Sequence, residues 1–303
     1  WFAESAVDVA VVEVGLLGRY DATNVCEADV AIITNIGKDH TDGMGEWEQA
    51  IATEKAGIIS ADSTLVTGVE DATLRAIFEA EGPERMFAKG EDFQVVSDRP
   101  AVGGHLVGLR TPFGTYEDLL VPLHGEHQAD NAALAVVAVE SFFGRSLEDS
   151  IVQDALGSVT MPGRFEVVAH SPLLILDGAH NPEGARAASR TLRDEFDVAG
   201  RRVLVLGMLG GRDVVEMLEC FDVRRADLVI TCTPRSPRAI PATELTAVVR
   251  AMGVLVEQID DVATAVQRAI DISTEDDVIL VAGSLYVAGA ARDFVESILH
   301  RAD

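Results

Sequence analysis

The chain has 303 residues, of which 48% are hydrophobic and 24% charged, and its formal net charge is −26. The length predicts about two domains, and the composition is typical of a globular protein rather than a disordered one. A charge this negative repels nucleic-acid phosphates and anionic lipid surfaces, so the sequence predicts neither nucleic acid nor a membrane as a partner.

The first elements in chain order are short apolar runs followed by helical patterns. Residues 7–14 and 30–36 are β-branched apolar runs, and each is followed by a glycine-containing turn. Such runs are typical of buried parallel strands. Helical periodicity follows at residues 46–58 and 71–81. The pattern predicts an α/β domain with a mostly parallel sheet.

The pattern of apolar and polar residues changes in the middle of the chain. Residues 105–123 alternate between apolar and polar side chains around a turn at 112–114, which predicts a β-hairpin. Helices are predicted at residues 131–143, which are rich in alanine, and at 147–156.

The second half of the chain alternates regularly between strand-like and helical segments, which predicts a Rossmann-like α/β domain. Its strand-like segments are LLILD, RRVLVLG, ADLVITC, VLVEQ and DVILVAG. A Pro-Gly pair within residues 159–163 interrupts the pattern and predicts domains at 1–161 and 162–303. The glycine fingerprint of nicotinamide-binding domains is missing, because GMLGGRD at 207–213 has the wrong spacing.

Three residues of the first half point to chemistry at a sheet edge. Glu13 ends a predicted buried strand, and its carboxylate is costly there unless something pairs with it. His40 follows the next predicted strand, and Lys55 lies on the apolar stripe of a helix with Ile51 and Ile58. Since parallel strands end at one ligand-binding edge, we expect these side chains to converge there.

Lys55 is unusual because the chain contains 3 lysines against 21 arginines. A desolvated lysine loses its proton and can then add carbon dioxide to form an anionic carbamate, whereas arginine stays protonated. A solvated helix lysine paired with Glu54 fits the same spacing. His40 fits a hydrogen-bonded turn residue as well as it fits a ligand.

Blocks along the whole chain resemble the folylpolyglutamate synthase/dihydrofolate synthase family of the Mur ligase superfamily. They are EVGLLGRYDATNV, ITNIGKDHTDGMG, EKAGI, GEHQADNAALA, PGRFEV, LDGAHNPEGA, SPRAIPATEL and AGSLYVAG. The resemblance implies part of a Mur ligase-type central ATPase domain followed by a Rossmann-like, glutamate-binding domain.

The resemblance also implies an activity in folate biosynthesis, that of an ATP-dependent carboxylate–amine ligase. Such an enzyme transfers the γ-phosphate of ATP to a folate or dihydropteroate carboxylate, and the amine of L-glutamate then displaces phosphate. The implied cofactors are ATP, two Mg²⁺ ions and a carbamylated lysine. Two hard cations would neutralise the charge of the phosphoryl and carboxylate oxygens.

The site residues implied by the resemblance follow its motifs. Glu13 and His40 would bind Mg²⁺, and carbamylated Lys55 would support the second ion. Asn131, Arg164 and Asp177 would contact the nucleotide, His180 and Ser284 would shape the glutamate site and the transfer step, and Tyr20, Asp21 and Ala22 would contact the pterin substrate. From the residues alone, DGAHNP also fits a turn with a helix cap, and Ser284 fits a cap of the last helix.

The sequence departs from the family pattern in two places. The glycine-rich phosphate-binding loop with its lysine occurs nowhere in these residues, so we expect a C-terminal portion that is inactive alone. Leu17 stands where the family has glycine, which predicts a narrower pterin loop or a different turn. A non-catalytic nucleotide- or glutamate-binding remnant is the alternative, as is a muramyl amino-acid ligase, although the DATN and GSLY blocks favour the folate branch.

Cysteine spacing and hydropathy indicate the cellular compartment in which the protein is expected. Cys26, Cys220 and Cys232 show no CxxC spacing and predict neither a zinc knuckle nor a disulfide framework, which fits a reducing cytoplasm. No run approaches the ~18 apolar residues of a membrane span. The family resemblance implies a monomer whose partners are small molecules.

Overall fold

The structure is a computed structural model that describes residues 2, 4–38 and 47–302, with side chains described as far as residue 298. The described strands are, in chain order, β1 (Val30–Ile33), β2 (Thr64–Thr67), β3 (Arg85–Ala88), β4 (Gln94–Ala101), β5 (Gly104–Arg110), β6 (Thr115–Val121), β7 (Glu166–His170), β8 (Leu173–Leu176), β9 (Arg202–Leu206), β10 (Leu228–Thr231), β11 (Val256–Gln258) and β12 (Val278–Ala282). The described α-helices are α1 (Trp47–Ala56), α2 (Ala72–Ala80), α3 (Glu126–Phe143), α4 (Asp149–Gly157), α5 (Pro182–Glu195), α6 (Val214–Cys220), α7 (Ala242–Ala251), α8 (Val262–Ile272) and α9 (Leu285–Ala302).

The chain folds as two compact units that interleave in sequence. The first comprises Trp1–Ser97, Gly108–Asp118 and Asp130–Val152, and the second comprises Asp98–Val107, Leu119–Ala129 and Gln153–Asp303. The single division predicted between residues 161 and 162 stays a prediction. Among the described helices, none is long and apolar enough to cross a membrane.

The first unit contains a parallel sheet in the order β1-β2-β3. Its core buries Ile33, Leu65 and Phe78 together with side chains of α1 and α2. The helices predicted at 46–58 and 71–81 are confirmed as α1 and α2. Asp71 ends the preceding loop and accepts hydrogen bonds from the N–H groups of Thr73 and Leu74, which satisfies two free donors at the start of α2.

The strand predicted at residues 7–14 is wrong. These residues are all described, and they form no strand; Val11 is 93% exposed. A β-branched apolar run shows only that a segment suits a sheet, whereas strand formation also requires a neighbouring edge that accepts its backbone hydrogen bonds. The described edge beside β1 gives no such partner to residues 7–14.

The predicted hairpin is confirmed and extended by a strand. β4, β5 and β6 form a sheet in that order, and the N–H of Thr111 donates to the carbonyl of Gly114 across the turn. The helices predicted at 131–143 and 147–156 are confirmed as α3, which begins earlier at Glu126, and α4.

The Rossmann-like prediction for the second half is confirmed. Among the described residues its sheet has the order β11-β10-β9-β12-β8-β7, with β7 antiparallel to β8 and the other neighbouring pairs parallel. One apolar cluster packs α5, α6 and α7 on one face, and a second packs α8 and α9 on the other. The turns that follow the parallel strands β8 to β12 therefore lie at one edge of the sheet.

Asp277 ties the starts of two central strands together. Its side chain is 3% exposed and accepts hydrogen bonds from the N–H groups of Arg201 and Thr274 and from the Arg201 guanidinium. Burial opposes ionisation, but these donors outweigh it and lower the pKa of Asp277 to about 2. The carboxylate therefore stabilises the fold.

We predict that Asp277→Asn lowers the free energy of unfolding at pH 7 by about 2 kcal/mol, because a pKa lowered from 3.8 to about 2 favours the folded state by that amount. The stabilisation is complete above pH ~4 and is lost as the pH falls toward 2. Urea titrations between pH 2 and 7 measure it. Exposed Asp276→Asn is the matched control, and an equal pH dependence in both variants would contradict the prediction.

Candidate functional site

The turn after β8 in the second unit is held by a buried carboxylate. Asp177 is 8% exposed; its Oδ2 accepts the N–H of Phe165 at 2.8 Å and its Oδ1 accepts the N–H of Ala179 at 2.7 Å. The N–H of Gly178 donates to the carbonyl of Gly163 at 2.7 Å. The PGRF and DGAHN segments are thus joined by two hydrogen bonds, and a third closes the DGAHN turn on itself.

Burial and the neighbouring groups have opposite effects on the pKa of Asp177. Burial raises the pKa of Asp177 above its ordinary value, against the two N–H donors and the positive charges of Arg164 and His180. Arg164 and His180 therefore lie near enough to influence this carboxylate. The Arg164 side chain is exposed, which leaves it accessible to a ligand.

His180 and Asn181 form the start of α5. Nδ1 of His180 donates to the carbonyl of Gly178 at 2.9 Å, so a neutral ring carries its lone pair on Nε2. Asn181 accepts the N–H of Gly184 at 2.8 Å, and Pro182 is the first residue of the helix. The helix-cap interpretation of DGAHNP is confirmed as local structure, and it leaves the imidazole of His180 half-buried at the turn.

Ser284 begins α9 at the same end of the sheet. Its side chain is fully buried, and its Oγ accepts the N–H of Val287 at 3.2 Å, which confirms the cap interpretation. A Cβ on Gly178 would lie 2.4 Å from Leu285, the residue after Ser284, and 3.2 Å from the Gly163 carbonyl. The candidate residues of the second unit, Arg164, Asp177, His180 and Ser284, therefore lie on segments that contact one another.

Arg164 also lines a cavity of about 910 Å³ within the second unit. Its other lining residues include His124, Phe165, Phe196 and Arg292. Cavities that hold small molecules measure about 300–1,000 Å³ and combine apolar walls with a few polar groups. The second unit therefore has room for a small ligand beside Arg164.

In the first unit, the loop that contains GLLGRYD packs against the end of α1. The N–H of Arg19 donates to the carbonyl of Glu54 at 2.8 Å, and a Cβ on Gly57 would lie 2.4 Å from the Cα of Arg19. A Cβ on Gly18 would lie 3.0 Å from the carbonyl of Glu54 and 3.2 Å from that of Lys55. The glycine of EKAGI is therefore required by packing.

The carboxylate of Asp21 holds this loop from within. Asp21 accepts hydrogen bonds from the N–H of Leu16 at 2.7 Å and from the N–H and hydroxyl of Thr23 at 2.9 and 2.6 Å. The hydroxyl and N–H of Thr23 and the N–H of Leu16 lower the pKa of Asp21 to about 2. Tyr20 is 85% exposed and Ala22 is exposed, so both are open to a substrate.

The three predicted metal ligands are not assembled by the described contacts. Glu13 is exposed and, with residues 7–14 outside any strand, does not end a buried strand as predicted. Lys55 is half-buried in the last turn of α1, beside buried Ile51, and His40 lies outside the described residues. Among the residues that the structure describes, no three His, Cys, Asp or Glu side chains form a group that could hold a metal ion.

The sequence missed an ion-pair cluster at the C-terminal edge of the first unit's sheet. Lys89, directly after β3, contacts Asp130 on α3 and Glu70 after β2. Asn131, the predicted nucleotide ligand, is exposed on α3 next to Asp130. The scarcity of lysine in the chain was the only sequence signal for Lys89.

Comparisons with known proteins match both units. Residues 2–139 match the Mur ligase middle domain, and residues 163–285 match the Mur ligase, glutamate ligase domain. The dihydrofolate synthase/folylpolyglutamate synthase of Mycobacterium tuberculosis is 39% identical over 320 residues, which cover 96% of this chain and 65% of that protein.

Solved structures agree with this match. The M. tuberculosis folylpolyglutamate synthase complexed with ADP and AMPPCP superposes with a TM-score of 0.90 at 38% identity, covering 97% of this chain and 70% of that one. A Yersinia pestis bifunctional folylpolyglutamate synthase/dihydrofolate synthase complexed with AMPPNP and a Mn ion gives 0.83 at 30% identity, covering 99% and 68%. This chain belongs to the folylpolyglutamate synthase/dihydrofolate synthase family. It spans 65% of the length of the M. tuberculosis relative.

Family membership confirms the resemblance and the fold class inferred from the sequence, a Mur ligase-type domain followed by a Rossmann-like domain. The leucine at position 17, where the resemblance predicts glycine, has a structural cost. Leu17 has a φ of +60°, in the left-handed region that favours glycine.

We predict that Leu17→Gly raises the free energy of unfolding by about 1 kcal/mol, because glycine adopts this φ without the strain of a Cβ. Leu16→Gly is the matched control: Leu16 has no positive φ, so glycine there lowers stability by about 0.5–1 kcal/mol through chain entropy. Urea denaturation of both variants measures the difference. A lower stability for Leu17→Gly than for the parent chain would contradict the assigned turn.

Proposed function

We propose that the polypeptide containing this chain is an ATP-dependent carboxylate–amine ligase that adds L-glutamate to a folate or dihydropteroate. The observation that supports it most is the convergence of the PGRF, DGAHN and GSLY segments, which carry Arg164, Asp177, His180 and Ser284, in a chain of this family. The M. tuberculosis and Y. pestis relatives bind adenine nucleotides, the latter with a Mn ion.

The proposed reaction has two steps. A substrate carboxylate oxygen attacks the γ-phosphorus of ATP, which gives an acyl phosphate and releases ADP. The neutral amine of glutamate then attacks the acyl carbon, the amine loses a proton, and phosphate leaves as the amide forms. A free carboxylate is a poor electrophile, so the phosphoryl group supplies the leaving group.

Each candidate residue has a proposed role in these steps. Arg164 and Asn131 contact the nucleotide, and the guanidinium of Arg164 holds negative phosphate oxygens. Asp177 completes the nucleotide site, and its hydrogen bonds keep the PGRF and DGAHN turns in place. The half-buried imidazole of His180 and the turn capped by Ser284 line the site of glutamate, whose amine takes part in the second step. Tyr20, Asp21 and Ala22 contact the pterin.

Two divalent cations accompany ATP in this proposal: Glu13 and His40 would bind Mg²⁺, and carbamylated Lys55 would support the second ion. The cations would neutralise phosphate charge. The neutral amine of Lys55 would add carbon dioxide and release a proton, which gives a carbamate whose single negative charge is shared by two oxygen atoms. Because no ligand group of three is present among the described residues, no reaction step is assigned to the cations.

We predict that Arg164→Ala in the complete natural polypeptide raises KM for ATP by about tenfold or more and leaves KM for glutamate nearly unchanged, because one charge-assisted phosphate contact is lost. The assay measures ADP formation that requires both the folate substrate and glutamate. Arg190→Ala, which removes an exposed arginine on α5, is the control. Equal weakening of ATP and glutamate would argue for a displaced turn rather than a lost contact.

We predict that Lys55→Arg lowers kcat by about 100-fold or more with an unchanged far-UV circular dichroism spectrum, because a guanidinium cannot become a carbamate. Removal of dissolved carbon dioxide should lower wild-type activity, and bicarbonate should restore it. The residual activity of Lys55→Arg should be the same with and without each treatment. Wild-type activity that is insensitive to carbon dioxide would refute the carbamate while leaving the ligase proposal standing.

A further inference from the structure

Lys89 joins three elements of the first unit through one ammonium group. Its Nζ lies 2.6 Å from Oδ2 of Asp130 on α3 and 3.1 Å from Oε1 of Glu70, which follows β2. Lys89 itself follows β3. The end of β3, the turn after β2 and the first half of α3 therefore meet at this cation.

The side chain of Lys89 is only 24% exposed. Burial opposes its charge, but the hydrogen bonds and negative charges of Asp130 and Glu70 outweigh it and raise the pKa of Lys89. Lys89 therefore remains an ammonium ion at neutral pH. Its chemistry differs from the one proposed for Lys55, which needs an uncharged amine.

A second contact holds the same turn of α3 against the sheet. A Cβ on Gly68, directly after β2, would lie 2.3 Å from the carbonyl of Thr34 and 3.2 Å from Cδ1 of Leu134. The absence of a side chain at Gly68 lets Leu134 pack onto this turn. Asn131 is three residues before Leu134 and thus shares its side of the helix.

These contacts place Asn131 above the C-terminal ends of parallel strands. Asp130 precedes it and is held by Lys89, and Leu134 follows it and is held at Gly68. In open α/β sheets, ligands bind outside the carboxyl ends of the strands. The turn of α3 formed by residues 130–134 therefore carries Asn131 where a ligand of this sheet is expected.

We propose that Lys89 is a positioning residue for nucleotide binding: it fixes residues 130–134 of α3 so that Asn131 meets ATP. The inference rests on the proposed function through the role of Asn131. Without the ammonium, the carboxylates of Asp130 and Glu70 repel each other and the turn moves. A shift of about 1 Å in a positioning group can cost about 100-fold in rate.

The residue type fits this task. An ammonium is a compact charge with three donors and can serve two carboxylates that approach from different elements. A planar guanidinium suits one carboxylate held by two parallel hydrogen bonds. This difference gives a physical reason for lysine at position 89 in a chain with 21 arginines.

The test is a double-mutant cycle in the complete natural polypeptide, with KM for ATP, KM for glutamate and thermal stability measured for each protein. We expect Lys89→Met and Asn131→Ala each to raise KM for ATP about tenfold. The double variant should show no further rise, because both changes remove the same contact. Lys89→Arg should give an intermediate KM for ATP, and KM for glutamate should stay within about twofold throughout.

Arg268→Met is the control, because it breaks a different ion pair, that between Arg268 and Glu257, and Glu257 is not a partner of Lys89. It should lower thermal stability and leave KM for ATP unchanged. If Lys89→Met does not fold, Asp130→Asn weakens the same contact more gently and should raise KM for ATP severalfold.

The outcomes separate the inference from the proposed function. An unchanged KM for ATP in Lys89→Met, together with a raised one in Asn131→Ala, would overturn the positioning role and leave the ligase proposal intact. Equal rises in both KM values, or fully additive effects in the double variant, would also overturn it. A wild-type polypeptide without glutamate-dependent ADP formation would overturn the proposed function and this inference with it.

Discussion

The buried carboxylate of Asp177 is the constraint on which the second unit's candidate site depends. A buried carboxylate without partners is costly, and Asp177 is compensated by the backbone N–H groups of Phe165 and Ala179. Because those donors belong to two segments, the carboxylate stays satisfied only while both turns keep their places. Arg164 and His180 are carried by these turns, so the hydrogen bonds of Asp177 help to set where both side chains lie.

The first unit uses close backbone approach and ion pairs for the same purpose. Gly57 lets Arg19 reach the end of α1, and Gly68 lets α3 reach the turn after β2. The proposals give two of the chain's few lysines opposite charge states. Lys89 is held as a cation between two carboxylates, whereas the role proposed for Lys55 requires it to lose its proton. Retaining lysine at both positions has a different physical reason in each case.

Local hydrophobic patterns in the sequence predicted many of the strands and helices. The strands β8 to β12 and the helices α1 to α4 follow from apolar runs, periodicity and punctuation by glycine and proline. The run at residues 7–14 has the same composition as a buried strand, yet it is exposed because strand formation depends on an edge that the pattern cannot show. The short strands β2 and β3 were not predicted, since TLVT and RMFA each have only two large apolar residues, whereas LLIL of β8 and LVIT of β10 form longer apolar runs.

The sequence by itself determined the α/β class, the family and the residue types of the candidate site, because motif spacing and hydrophobic period are properties of the chain alone. Only the tertiary structure decided which side chains meet: Lys89 and Asp130 are 41 residues apart, and nothing in their surroundings along the chain relates them. The same holds for the left-handed backbone at Leu17, a residue type that does not favour it, in a loop whose next residues, Gly18 and Arg19, contact the end of α1. Contacts between distant segments arise from packing and backbone hydrogen bonding of the whole unit, and these are not encoded in any local pattern.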